Sequence, residues 1–482
     1  MNVQSGISRR DFVRYAASGA ASLCLCGCAG MPKRGRPAPA RLRPEVELAD
    51  RDTFRRLADA ALNASKADHT LVLLRDCIGG RTQYHDNQIT DFPVAPSRHL
   101  SVVVSFGQQV GSGLTSELNV DAVVAAVRAA EERARRAAPN SDYLPPLPPQ
   151  RYPVLPTYRP ETAAAGRERR AAVADVAIAV CEAEGVPASG TVAAYAEAIG
   201  VAADTGLFAF EQRTHAGFDL TVSGPECAGR AGNIHRSIDD LGIAVRTRAA
   251  IRRAKLPAHR APLPAGRYTV VLGPFAVARL IRLLLGATDA RADRKGHGGL
   301  RDRLGHPVID TRLTLQNRPD HPDLLGGSFD LSGLAADAAT WIERGVLKRV
   351  SYDQRSAREH GTAPTYFPDA PHLSGEGAEA ASLDDLVHAT ERGIVVTDLA
   401  RVAYADPDEL RLTGVTTNGA ALIENGRIVA GLGGLRWRGE LLAVLNQVDV
   451  STTPLEAVAD QAYKLLVPAI VVRDFAIEGS AS

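Results

Sequence analysis

The sequence predicts an α+β protein of two domains, a mixed N-terminal α/β domain followed by a strand-rich C-terminal domain. Three observations carry this. Up to about residue 255, Ala-rich helical patterns are interspersed with short apolar strands. A proline cluster, Pro257 to Pro264, then stops a helix, and the composition shifts after it. Beyond it, strand patterns dominate and helices are few, which argues against a wound parallel sheet. The domains are accordingly expected at 49–260 and 261–482.

The elements follow in order. Asp50 to Asn63 reads as an amphipathic helix, with Phe54, Leu57, Ala61 and Leu62 on one side. Thr70 to Leu74 is a short buried strand, Gln83 to Ile89 a strand or turn, and Leu100 to Phe106 a further strand. Gly107 to Gly113 reads as a turn. Asn119 caps a long Ala/Val helix running to about Ala138. Pro145 to Pro160 is a crossing loop and Glu161 to Glu184 a helix. Thr191 to Ala202, Gly206 to His215 and Gly217 to Gly224 form a meander. Asp239-Asp240 opens a helix to about Lys255.

In the second half, Tyr268 to Leu272 is a strand and Phe275 to Leu285 a helix, followed by a polar loop from Gly286 to Gly305. Leu334 to Gly345 is expected to be helical and Val346 to Arg355 extended. Gly393 to Ala405 and Glu409 to Thr413 are strands. Ala420 to Gly431 is a hairpin turning on Asn425-Gly426. A helix, Pro454 to Leu466, and a strand, Ala469 to Phe475, close the chain. There is no internal repeat.

Composition narrows the function classes. The chain has 482 residues, 45% of them hydrophobic, enough for two or three cores at about 150 residues each. Basic and acidic residues nearly balance, 56 against 55, and no basic stripe interleaves with aromatics, so no nucleic-acid partner is expected. Of six cysteines, Cys24, Cys26 and Cys28 lie near the N-terminus. Cys77, Cys181 and Cys227 are far apart and read as buried thiols or one disulfide plus a thiol.

Residues 1–30 read as a twin-arginine export signal. Arg9 and Arg10 precede an uncharged, Ala-rich stretch from Ala16 to Gly27, shorter than the roughly 20 residues a bilayer span needs. Leu25-Cys26-Gly27-Cys28 resembles a lipobox, which would make Cys28 the attachment point of a lipid anchor. Cys26 stands where such boxes carry Ala or Ser, and simple cleavage near Ala29 is the alternative. Residues 31–48 form a Pro-rich, basic tether. The expected location is the periplasm or envelope.

Catalytic patterns are sparse. None of the twelve histidines begins a His-Glu pair. His388 and Glu391 share a helical spacing without a third ligand and read as a solvated face. His297, His306 and His321 are the candidate metal ligands, because they alternate with Asp293, Asp302, Asp310 and Asp320. Their spacing matches no metal template, so the segment reads as a solvated loop. Ser356, Glu359 and His360 lie close in sequence but lack an oxyanion motif. Gly111-Ser112-Gly113 and Gly431 to Gly434 lack a phosphate-loop Lys and read as turns. No catalytic residue is assigned.

The second half nonetheless carries a succession of landmarks. These are Tyr268 to Pro274, Leu304-Gly305-His306-Pro307-Val308, Leu313-Thr314-Leu315, Gly327-Ser328-Phe329-Asp330, Ile342 to Lys348, Asp353 to Ala357, Gly393 to Thr397 and Leu422 to Gly426. Their order and spacing resemble the TldD/PmbA (TldE) family of peptidase-related proteins. Asn119 to Ala138 is similar to the family's long Ala-rich helix, so the resemblance covers roughly residues 50 to 480. It implies two domains and a pairing of TldD-type with TldE-type chains around a cavity for unfolded peptide. It also implies that a TldD-type chain holds zinc on a His-Glu-x-x-x-His helix with a C-terminal Cys. Here that helix carries Ile281, Arg282 and Gly286 at the three positions, and the last cysteine is Cys227. Ile and Gly offer no side-chain ligand, and Arg is no base near neutral pH.

The expectation is therefore a zinc-free, TldE-like chain that binds peptide or a partner, either a TldD-like chain supplying zinc or a second copy of itself. No cofactor of its own is expected. Two alternatives stay open, an active peptidase using non-standard residues and a surface-tethered scaffold.

Overall fold

The computed structural model describes residues 47–92, 96–259, 263–292, 299–377, 380–417, 419–460 and 463–480. The signal arginines Arg9 and Arg10, Cys28, the tether up to residue 46 and His297 lie outside them. So do residues 260–262, where the two expected domains meet.

α1 (Arg51–Ala64) starts where expected, because the Asp50 side chain accepts the Thr53 N–H at 2.7 Å. β1 (His69–His85) is far longer than its apolar stretch suggests. It turns at Asp86-Asn87, both at positive φ, into β2 (Gln88–Phe92). β3 (Ser97–Phe106) and β4 (Gln109–Thr115) form a hairpin around Gly107-Gln108. Gly111 and Gly113 are thus strand residues, a correction to the turn expected there. The reason lies in α2 (Val120–Arg136), capped by Asn119 and packed on β4. A Cβ on Gly113 would stand 1.9 Å from the Ala126 carbonyl oxygen, so only glycine lets helix and strand approach.

A loop leads to α3 (Pro160–Ala163) and α4 (Arg167–Ala183), then to the long strands β5 (Ala188–Ala203) and β6 (Phe208–Ser223). β6 runs through Gly217, where two strands were expected. β7 (Ala228–His235), not anticipated, pairs with it, and α5 (Ile243–Ala254) follows. The sheet order is β4-β3-β1-β5-β6-β7, with β2 also on β1. Val72, Leu74, Val192 and Ala198 on one face join the cores under the helices. Ile199, Val201 and Ala209 on the other face pack with Phe329 of the second half.

The second half builds two sheets around α6 (Pro274–Ala287). β8 (Gly266–Leu272) feeds that helix. The six-stranded sheet contains β9 (Leu313–Asn317), β10 (Ala339–Glu343), β11 (Val346–Leu347) and, after the short α7 (Gln354–Glu359), β12 (Pro371–Gly375). The nine-stranded sheet takes, after α8 (Leu383–His388), β13 (Arg392–Val396), β14 (Asp398–Asp406), β15 (Arg411–Thr417), β16 (Ala421–Glu424), β17 (Arg427–Gly431) and β18 (Leu435–Glu440). α9 (Leu441–Asn446) and β19 (Val448–Ser451) precede the hairpin of β20 (Leu455–Asp460) and β21 (Tyr463–Val467), and β22 (Ile470–Ser480) ends the chain. The orders are β11-β10-β9-β12-β21-β20 and β14-β15-β18-β22-β8-β13-β16-β17, with β19 on β22. The fold is α+β, with prominent sheets.

Two expected helices are strands. At 334–345 the chain forms β10, which turns through Arg344-Gly345, both at positive φ, into β11. Trp341 and Ile342 are fully buried there. At 454–466 the chain forms β20 and β21. All five residues of β21 are buried between β20 and β12, a central position that overrides helix propensity. The strand expected at 346–355 is only β11, since Asp353 caps α7 by accepting the Ser356 N–H at 2.7 Å.

Candidate functional site

A cleft of about 560 Å³ opens where α5 of the first half meets the second half. Arg246 and Arg253 of α5 form one wall. The start of α6, Pro274 and Phe275, lies beside Thr397. His321 and Asp323 come from the turn after β9, His372 from β12, and Leu455 and Glu456 from β20. Proline at the first position of α6 presets its φ and removes one of the unbonded N–H groups there. Its N-cap is Gly273, so no side chain caps the helix.

Behind the cleft is a charged cluster. Lys464, its side chain fully buried, donates to Glu456 at 2.6 Å, and Arg246 also bonds Glu456. Burial alone would raise the Glu456 carboxyl, but Lys464 and Arg246 hold it below its ordinary value. Burial pulls the Lys464 ammonium down, partly offset by Glu456. His235, at the end of β7, has Asp323 3.8 Å from Nε2. Burial and then Lys464 hold its imidazole below the usual histidine range.

His235, Asp323 and Glu456 bring ligand-type atoms within 4.8 Å of one another. The chemistry around them favours a salt-bridge network over a metal site. His235 Nδ1 accepts the Ser237 N–H at 3.1 Å, which leaves the proton of the neutral ring on Nε2, facing Asp323. Glu456 is already satisfied by two cations.

The zinc pattern of TldD-type chains does not fit α6. Ile281 is fully buried in the shared core. The Arg282 guanidinium lies over the Tyr463 ring, 4.7 Å from its centroid, with Phe367 at 5.8 Å. Gly286 faces open space. A hydrocarbon, a cation and a residue without a side chain offer no zinc ligand.

The other sequence candidates are scattered. His306 is exposed beside the turn Arg301–Arg303. His321 lines the cleft and stacks on His372, ring centroids 5.8 Å apart. Ser356 is fully buried, its hydroxyl donating to Asp353 at the N-cap of α7, while Glu359 bonds Arg355 and His360 packs on Tyr352. His388 and Glu391 are exposed. Cys77, Cys181 and Cys227 form no disulfide with one another. No helix among the described residues is long and apolar enough to cross a membrane. Sequence reasoning missed the cleft and its Lys464–Glu456 pair. The signal available was the polar pair Glu456 and Lys464 within otherwise apolar stretches.

Residues 265–479 match the PmbA/TldA metallopeptidase C-terminal domain. TldE from Thermococcus kodakarensis shares the fold at a TM-score of 0.79 and 18% identity, over 88% of this chain and 99% of that one. A protein from Thermotoga maritima, described as a proposed modulator of a DNA gyrase, matches at 0.77 and 18%, over 88% and 100%. A protein from Bacteroides thetaiotaomicron, described as a proposed modulator of DNA gyrase, matches at 0.73 and 19%, over 89% and 98%. No curated protein matches the sequence. The second half of the chain thus matches the PmbA/TldA C-terminal domain, and 88% of the chain shares the fold of TldE.

Proposed function

We propose that this chain is a zinc-free, TldE-type subunit that binds peptide or a partner chain and does not itself hydrolyse peptide. One observation carries the reading. The family scaffold is kept, while the three zinc-motif positions of α6 hold Ile281 in the core, Arg282 on Tyr463 and the bare backbone of Gly286. The partner is a TldD-like chain supplying zinc, or a second copy. Peptide adds to a sheet edge, where main-chain hydrogen bonds grip without regard to sequence. β20, the last strand of its sheet, brings Leu455 and Glu456 to the cleft.

Elemental analysis of the purified chain tests this. We expect no zinc to survive extensive dialysis against chelator, and no peptide cleavage by the chain alone. One retained zinc per chain, lost together with activity, would overturn the reading. Recovery from native envelopes is expected to bring a TldD-like partner with it. Export through Arg9-Arg10 belongs to the same reading. Replacing both with Lys should leave the protein in the cytoplasmic fraction.

A further inference from the structure

Among the described residues the cleft holds a guanidinium, that of Arg253, with no carboxylate at ion-pair distance. Arg253 is half-buried, and burial pulls its guanidinium below the usual arginine range. Its Nη1 donates to the Arg230 carbonyl oxygen at 3.3 Å. Among the described residues no carboxylate stands within ion-pair distance of it, and Asp384 acts on it only from farther off. Arg246, one helical stretch earlier on α5, is by contrast bonded to Glu456. A guanidinium carries five N–H donors, and desolvating it without a counter-charge is costly. Keeping such a group at a cleft suits a ligand that brings the negative charge.

The start of α6 lines the same cleft. Its first-turn N–H groups have no side-chain cap, and they form the positive end of a fourteen-residue helix. Arg253 and this helix start come from separate halves of the chain and converge on one volume. Asp323 and Glu456 on another wall disfavour a dianion such as phosphate, whereas a single carboxylate matches the Arg253 guanidinium. Phe275 and Leu455 supply apolar surface for a terminal side chain.

We propose that this cleft takes the C-terminal carboxylate of an extended peptide, with Arg253 as its ion-pair partner and the start of α6 as hydrogen-bond donor. The inference rests on the peptide-binding reading above.

The test uses the full chain and three fluorescein-labelled forms of one unstructured decapeptide, read by anisotropy. They are the free acid, the C-terminal amide, and an amide whose last residue is Glu. We expect the free acid to bind about 10-fold tighter than either amide, one charge-assisted hydrogen bond's worth. Arg253→Gln should erase that preference, and Arg253→Lys should keep part of it. Equal binding of acid and amide, or a preference that survives Arg253→Gln, would overturn the inference and leave the peptide-binding reading standing. An amide ending in Glu that binds as tightly as the acid would overturn the terminal assignment. Binding of none of the three would overturn both.

Discussion

Arg282 lies over the ring of Tyr463, 4.7 Å from its centroid, so that an aromatic of β21 covers a cation on α6. The contact joins the helix to the strand hairpin that the sequence had suggested was itself a helix. Arg282→Met keeps the stem and removes the cation. The expected loss is about 0.5–2 kcal/mol of stability, seen as a lower urea midpoint with an unchanged slope. Arg282→Glu should cost more, since it puts a carboxylate on the ring face, and should not create zinc binding. Neither result is expected to alter peptide affinity.

Lys464 and Glu456 should be strongly coupled. Glu456→Ala strands a fully buried ammonium and leaves Arg246 without its carboxylate. The expected cost is about 3–5 kcal/mol. Adding Lys464→Met to Glu456→Ala should recover much of that loss. Chemical denaturation of the two single variants and the double variant measures the coupling directly.

Glycines of α2's packing partner and of α6 should respond oppositely. Gly113→Ala drives a Cβ to 1.9 Å from a helix carbonyl oxygen, and backbone cannot swing aside, so a loss of about 1–3 kcal/mol is expected. Gly286→Ala meets nothing within 4 Å inside a helix and should stabilise by about 0.5–1 kcal/mol. Thermal melts of both variants check the pair. A loss at Gly286 would mean that the motif position has a use beyond backbone.

Acid should weaken the fold through histidines before carboxylates. Burial holds His215, His235 and His372 below the ordinary histidine value. Their folded pKa values are depressed, so the unfolded chain takes up protons first as pH falls below about 6.5. Stability is therefore full above that pH and declines as pH falls through the depressed values. Glu456, also lowered, adds a separate loss below about 4.5. Melting temperature followed from pH 8 to about pH 3 should show both, and His215→Gln should flatten the upper one.

Local chemistry made much of the fold readable. Asn119 announced α2 through a short side-chain cap, which depends only on a residue three positions away, and the one-sided apolar pattern from Phe54 to Leu62 announced α1. Asn425-Gly426 announced the β16–β17 hairpin because both residues tolerate the positive φ that its turn requires. That Ile281 and Gly286 offer no side-chain ligand was equally visible, since a side chain's donor atoms are set by its identity.

The sequence by itself determined the α+β class, the family likeness and the absence of His-Glu-x-x-x-His on α6. Only the tertiary structure decided that 339–343 and 455–467 are strands, because neighbours far along the chain bury them on sheet faces. It alone assembled the cleft, joining Arg253 of α5 to the start of α6 and to β20. Whether a charged side chain has a partner depends on long-range packing: Lys464 is matched by Glu456, whereas among the described residues Arg253 has no carboxylate at ion-pair distance.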